Sequence, residues 1–341
     1  MNADFKTFCI IGDPIDHSLS PAIHNAAFNT LGLNCSYIAF RVQEGQLKNS
    51  IDSLRSINIG GFNVTMPHKV KVLNYVDRCD KTVQLVGAAN TVNNEEGKFC
   101  AYNTDVAGFI RPLRKRKVGF NGIEVMILGA GGAARAVVVA LSEEKGITNI
   151  NIINRNNDRS TNLANLVKKL GLKASIISND DVQKIAYKSD LIINTTPLGM
   201  SNEQSLIKSA SISKDSIVYD IVYKPINTRL IENAKIAGAQ VVYGYEMLLE
   251  QATASFRIWL KMEPPIDSMK RCYLECLVNL LDYKGNINSS WCHIYSERCC
   301  NRIWICNGNF TERQSRNNIK EGFRINFSER WGKSYDKENN L

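Results

Sequence analysis

The sequence predicts a two-domain α/β protein, and three observations carry that expectation. Strand-like and helix-like runs alternate in two series along the chain, the pattern of a mostly parallel sheet covered by helices. The second series opens on VMILGAGGAARAVVVAL, residues 125–141, where an apolar strand runs through a glycine turn into an apolar helix. At 341 residues the chain is long enough to build two cores.

In chain order, Phe5 to Ile11 reads as a short buried strand that stops at Gly12 to Pro14. Ser20 is placed to cap a helix with Pro21 at its first position, running through Ala22 to Leu31. Cys35 to Val42 is strand-like, Gln43 to Ser56 helical and Gly61 to Thr65 a strand. Two polar clusters follow. NVTMPHK, Asn63 to Lys69, places an amide, a hydroxyl and an ammonium within seven residues, and YNTD, Tyr102 to Asp105, offers a carboxylate. A lysine and an aspartate brought together at a domain edge can hold, give and take a proton on a substrate hydroxyl. Arg111 to Gly122 then reads as a basic connector into the second series.

That series begins with the strand Glu124 to Leu128 and the turn Gly129, Ala130, Gly131, Gly132, Ala133. With Ala134 at the third glycine position, it resembles the dinucleotide fingerprint, in which backbone N–H groups at a helix start approach a pyrophosphate. The next strand, Asn149 to Ile153, ends in NRNNDR. NAD folds commonly place an acidic side chain here for the ribose 2′-OH. Asn154, Arg155 and Arg159 suit a 2′-phosphate instead, so NADP is expected; a solvated basic helix start is the alternative. Leu191 to Asn194, Ser216 to Tyr223 and Gln240 to Tyr243 read as further strands, ending in NTTPLGM, DIVYKP and GYEMLLEQ. A last helix, Glu246 to Leu260, carries Met247, Leu248, Ala252 and Phe256 at helical spacing, with Gln251 as a polar interruption.

Composition narrows the class. Hydrophobic residues at 44% and charged residues at 22% are ordinary for a soluble globular protein. A net charge of +9 can reflect nucleic acid, but it also suits an enzyme with anionic substrate and cofactor. No signal pattern precedes the first strand and no apolar run approaches the ~18 residues of a membrane span, so a cytoplasmic protein without a membrane partner is expected; a small-molecule substrate rather than nucleic acid is the expected partner. Cys9, Cys35, Cys79 and Cys100 are scattered singly, as reduced thiols are. A homodimer is left open.

The runs GDPIDHSLSPAIHN, GFNVTMPHK, GAANTV, NTDVAGF, GAGGAARA, NRN, NTTPLGM, DIVYKP and GYEMLLEQA occur in one order. Over roughly residues 5–280 the chain thereby resembles the shikimate dehydrogenases. The resemblance implies a substrate-binding catalytic domain at 1–108, completed by helices 246–280 that return to it, and a Rossmann-type NADP-binding domain at 109–245. It implies that Ser18 and Ser20 hold a substrate carboxylate and that Asn63, Thr65, Asn90, Asp105 and Gln251 hold ring hydroxyls. Tyr223 matches a tyrosine at the substrate end of DIVYKP. Lys69 and Asp105 match the catalytic pair, with no metal required. Thr195, Gly244 and Met247 would face the nicotinamide. His68 matches no chemical role and reads as structural, as do His17 and His24. The activity implied is reversible, NADPH-dependent reduction of 3-dehydroshikimate to shikimate. A quinate/shikimate dehydrogenase using NAD is the alternative enzyme. A catalytically silent, NADP-binding regulator is the alternative outside enzymes.

The segment 281–341 reads differently: polar, Asn-rich and without periodicity. A zinc site of Cys292, Cys299, Cys300 and Cys306 with His293 is disfavoured because two CxxC pairs are lacking. Codons compatible with Ser289 to Asn309, read one nucleotide later, spell a string that resembles the start of an archaeal-type shikimate kinase of the GHMP family. The segment is therefore expected to be out-of-frame translation without a selected fold.

Overall fold

The structure is a computed structural model that describes residues 5–16, 18–201 and 204–282, with side chains to 277. The expectations for His17 and for the segment 283–341, its cysteines included, lie outside the described residues.

The first half of the chain runs β1 (Lys6–Gly12), α1 (Ser20–Thr30), β2 (Cys35–Arg41), α2 (Leu47–Ser56), β3 (Gly61–Val64), β4 (Arg78–Cys79), α3 (Lys81–Val86), β5 (Thr91–Glu95), β6 (Lys98–Tyr102) and α4 (Asp105–Lys115). Its six strands form one sheet in the order β2-β1-β3-β5-β6-β4. The β1–β2, β1–β3 and β4–β6 pairs are parallel, whereas β3–β5 and β5–β6 are antiparallel. The antiparallel hairpin was not assigned from sequence. It closes on Glu96 and Gly97, both at positive φ, the backbone that a tight hairpin turn demands.

The second half runs β7 (Glu124–Leu128), α5 (Gly132–Ser142), β8 (Asn149–Ile153), α6 (Asn157–Lys169), β9 (Ala174–Ile176), α7 (Val182–Lys188), β10 (Leu191–Asn194), β11 (Ile217–Asp220), α8 (Arg229–Ala237) and β12 (Gln240–Tyr243). These strands form an all-parallel sheet, β12-β11-β10-β7-β8-β9. Strands buried on both faces must be apolar throughout, and Val125 to Leu128 and Leu191 to Ile193 are. Strand order reverses between β7 and β10, and a crevice at such a switch point is where parallel sheets take ligands.

Two helices then close the fold, α9 (Gly244–Leu260) and α10 (Ile266–Asp282). The start of α9 is fastened at the second sheet, where Tyr243 and Glu246 form a capping box. Its far end reaches the first sheet, where Trp259 Nε1 donates to Val92 O at 2.9 Å. Met247 belongs to the core under the second sheet, while Leu248, Ala252 and Phe256 pack with Phe8, Phe28 and Tyr273 against the first. Among the described residues no helix is long and apolar enough to cross a membrane.

Four local expectations are corrected. Ser20 does not cap α1: Leu19 occupies the cap position, and Ser20 N–H donates to Ser18 Oγ at 3.3 Å. Gln43 to Ser56 is not one helix, because Glu44–Gln46 forms a 3-10 turn before α2. The basic connector is helical as far as Lys115, since Arg111 and Lys115 pair with Glu250 and Arg116 with Glu246, both carboxylates of α9. The strand expected to reach Tyr223 leaves the sheet after Asp220, whose carboxylate captures Val222 N–H at 3.0 Å.

Candidate active site

The turn after β3 carries Lys69. His68 N donates to Thr65 O and Ala89 N to Lys69 O, which holds the turn against the start of β5. His68 is buried, and its Nε2 lies 2.6 Å from Val42 O, a contact that only the Nε2–H tautomer makes as donor. It is a fastening for the turn, as its structural reading expected. His24 is also buried, stacked on Tyr37 at 4.5 Å, and burial pushes its pKa down to about 3.

Lys69 Nζ donates to Asp105 Oδ2 at 2.6 Å. The aspartate is the first residue of α4, where the helix N-terminus favours a negative charge. Its side chain is 7% exposed and that of Lys69 is 22% exposed, so the pair is shielded yet open on the lysine side. The other carboxylate oxygen accepts from Asn90 Nδ2 at 2.8 Å. Asn90 is in turn oriented by Thr104 N–H, which donates to its Oδ1 at 2.7 Å. A backbone N–H can only donate, so the amide N must face Asp105.

Further expected residues surround this pair unequally. Gln251 of α9 projects into the same cluster, its Oε1 3.4 Å from both Asn90 Nδ2 and Thr104 Oγ1. Ser18 is half-buried at the approach to α1, and Ser20 is buried beside the Tyr37 hydroxyl, to which it hydrogen-bonds. Asn63 is engaged on all sides: its Oδ1 accepts from Tyr37 at 2.6 Å, and its Nδ2 donates to Asn90 O, Thr91 Oγ1 and Ser255 Oγ. Thr65 sits half-buried in the turn, its N–H donating to Ile11 O. Tyr223 is held through its carbonyl, which accepts from Tyr273 OH at 2.8 Å. Tyr37, Thr91, Thr104 and Ser255 were not foreseen as site residues. Only Thr91 and Thr104 had a signal, as neighbours of Asn90 and Asp105 in GAANTV and NTDVAGF.

At the second sheet, Gly129 (φ +103) closes β7, and a Cβ there would meet Thr195 Oγ1 at 2.7 Å. Thr195 Oγ1 itself donates to Leu128 O at 2.7 Å, so the ends of β7 and β10 are joined at the switch point. α5 begins at Gly132 with Gly131 as its cap residue and no side-chain cap, which leaves N–H donors at a helix start; a Cβ on Gly131 would meet nothing within 4 Å. Asn154 Nδ2 donates to Asn156 O, Asn156 caps α6, and Arg155 and Arg159 are exposed beside them. Neither arginine pairs with a carboxylate among the described residues. Open amide donors, room above the turn and two uncommitted guanidinium groups fit a dinucleotide with an extra phosphate. Met247 is buried in the core of this half and Gly244 is wedged under Val222 O. The two halves meet where a Cβ on Gly132 would lie 3.8 Å from Lys69 Cδ.

A parallel sheet with a glycine turn at its switch point, whose first helix turn abuts a shielded Lys–Asp pair from another sheet, defines the class: a two-domain α/β dehydrogenase. Three family profiles match in register, the shikimate dehydrogenase substrate binding domain over residues 10–92, shikimate / quinate 5-dehydrogenase over 113–221, and the shikimate 5′-dehydrogenase C-terminal domain over 244–271. The shikimate dehydrogenase (NADP(+)) of Nitrosopumilus maritimus is 46% identical over 269 residues, 79% of this chain and 98% of that protein. A crystal structure of a shikimate dehydrogenase in complex with NADP+ superposes with a TM-score of 0.74 at 37% identity, covering 81% of this chain and 97% of that one. The Listeria monocytogenes shikimate 5-dehydrogenase, in complex with shikimate and NAD, gives 0.72 at 34% identity, covering 80% and 97%. The chain belongs to the shikimate dehydrogenase family.

Proposed function

We propose that the protein is an NADP-dependent shikimate dehydrogenase that reversibly reduces 3-dehydroshikimate to shikimate. The observation that carries this reading is the Lys69–Asp105 pair, shielded, 2.6 Å long and beside the first turn of α5. When bound, NADP(H) supplies or accepts the hydride. Gly129, Ala130, Gly131, Gly132 and Ala133 would hold its pyrophosphate, Asn154, Arg155 and Arg159 its 2′-phosphate, and Thr195, Gly244 and Met247 would border its nicotinamide.

Reduction of a ketone leaves negative charge on its oxygen, and an ammonium placed there both stabilises the charge and delivers a proton. Lys69 has that task, and in the reverse direction it receives the proton. Asp105 holds the ammonium in place and, with Asn90, Thr65 and Gln251, orients the ring hydroxyls. Ser18 and Ser20 bind the carboxylate, and Tyr223 lines the substrate end of the cleft. Asn63, itself held by Tyr37, Asn90 and Thr91, joins Asn90, Thr65 and Gln251 in holding the ring hydroxyls. No described cysteine is in a disulfide, which supports a reducing, cytoplasmic setting.

The test is spectrophotometric: shikimate with NADP+ should generate NADPH at a rate well above that with quinate or NAD+. No turnover of shikimate would remove the reading, and a faster rate with quinate and NAD+ would replace it with the quinate enzyme.

A further inference from the structure

Ser255 lies on α9 with no solvent exposure. Its hydroxyl donates to Gln251 O, one turn back, at 3.1 Å. A serine inside a helix can satisfy itself in that way alone. Yet Ser255 Oγ also lies 2.8 Å from Thr91 Oγ1, 3.2 Å from Thr104 Oγ1 and 3.2 Å from Asn63 Nδ2. These partners come from β5, from the residue before α4 and from β3. One hydroxyl on a helix fastened at the second sheet therefore meets three elements of the first half. The contacts serve the partners more than Ser255, because buried donors without acceptors are costly.

The consequence reaches the substrate-facing groups. Thr91 Oγ1 and Thr104 Oγ1 both lie within hydrogen-bond distance of Asn90 Oδ1, at 3.1 and 3.2 Å. Gln251 stands on the same face of α9, one turn from Ser255. We propose that Ser255 is a positioning residue whose hydroxyl sets the register of α9 against the first sheet, and so fixes Gln251 and Asn90 at one separation for the substrate ring. The proposal rests on the dehydrogenase reading for the roles of those two residues.

The test compares Ser255→Ala, Thr91→Val and the double variant in the full chain, measuring KM for shikimate, KM for NADP+ and kcat, with melting temperature as the fold control. Ser255→Ala is expected to raise the shikimate KM about 10-fold, because Thr91, Thr104 and Asn63 lose the partner that ties them to α9, and to leave the NADP+ KM unchanged. Thr91→Val should raise the same constant, and the double variant should raise it no further than the larger single change, because both break one connection. A shikimate KM unchanged in Ser255→Ala overturns the proposal. So does a parallel rise in both KM values with a lowered melting temperature, which is the mark of general loosening. If Ser255→Ala does not fold, Thr91→Val carries the test from the other side, and an unchanged shikimate KM there overturns it as well. An unsubstituted enzyme that does not turn over shikimate removes the dehydrogenase reading instead, a result distinct from these.

Discussion

Replacing Asp220 by Asn is expected to shift stability in a pH-dependent way: near pH 4 the variant lies close to its parent, and near pH 7 it is the more stable of the two. Asp220 ends β11 with its carboxylate buried, accepting from Thr228 Oγ1 at 2.6 Å, Asn194 Nδ2 at 2.9 Å and Val222 N at 3.0 Å. Burial pushes its pKa up from 3.8 to about 6, the three donors opposing only part of that rise. A folded pKa of about 6 against 3.8 corresponds to roughly 3 kcal/mol. Because the folded pKa is the higher one, the folded protein holds the proton more tightly than the unfolded chain between pH 3.8 and about 6. That advantage is fully present below the window and is lost as pH rises through it, leaving a buried charge at neutral pH. Asp220→Asn cannot ionise, so this slope disappears. Its amide oxygen keeps Asn194 and Val222, and its amide N–H reverses the bond to Thr228 Oγ1, as the protonated carboxyl of the parent also does. The gap between variant and parent should therefore swing by about 2–3 kcal/mol from pH 4 to pH 7. Urea unfolding at intervals of pH measures it. Two parallel stability profiles would refute the reasoning. The charge is tolerated, in this account, because Asp220 holds Asn194, which in turn accepts from Thr196 N and Oγ1 in the turn beside Gly129.

Three other outcomes are expected. Lys69→Ala should lower turnover by several orders of magnitude while NADPH still binds, as cofactor fluorescence would report; normal turnover would remove Lys69 from the mechanism. Arg155→Ala with Arg159→Ala should weaken NADPH far more than NADH in the same titration, and equal losses would count against the phosphate contact. In Gly244→Ala the new Cβ would fall 2.4 Å from Val222 O and 2.5 Å from Ile221 O, both backbone atoms. A loss of about 1–3 kcal/mol in urea unfolding is expected, and an unchanged stability would mean that the loop after β11 yields without cost.

Much of the second half was legible because its physics is one-dimensional. β8, β10 and β12 were read to their end residues, since strands covered on both faces are short apolar runs bounded by polar turns. The β5–β6 hairpin was missed because Thr91 to Tyr102 mixes asparagines with apolar residues and never alternates cleanly. Its one plain signal was the Glu96–Gly97 turn. In the site, Lys69 and Asp105 were readable from their motifs and the structure joins them directly. Tyr37 and Ser255 were not: each is a hydroxyl on an element whose neighbours are apolar, and only the assembled fold reveals what the hydroxyl faces. The connector was misread because the partners of its arginines and lysine lie about 130 residues further along, on α9.

The course of α9 has a consequence for the order in which the molecule can be made. Synthesis delivers the strands of the first sheet by residue 102, but the group that satisfies Val92 O and one of the three acceptors of Asn63 Nδ2 reside on Trp259 and Ser255. The half of the protein that leaves the ribosome first is therefore the half finished last, and its polar floor stays open until the nucleotide-binding half has emerged. A chain stopped at residue 243 is accordingly expected to protect the amides of β7, β8 and β10 from hydrogen exchange while those of β3 and β5 exchange freely; equal protection in both sheets would contradict this order.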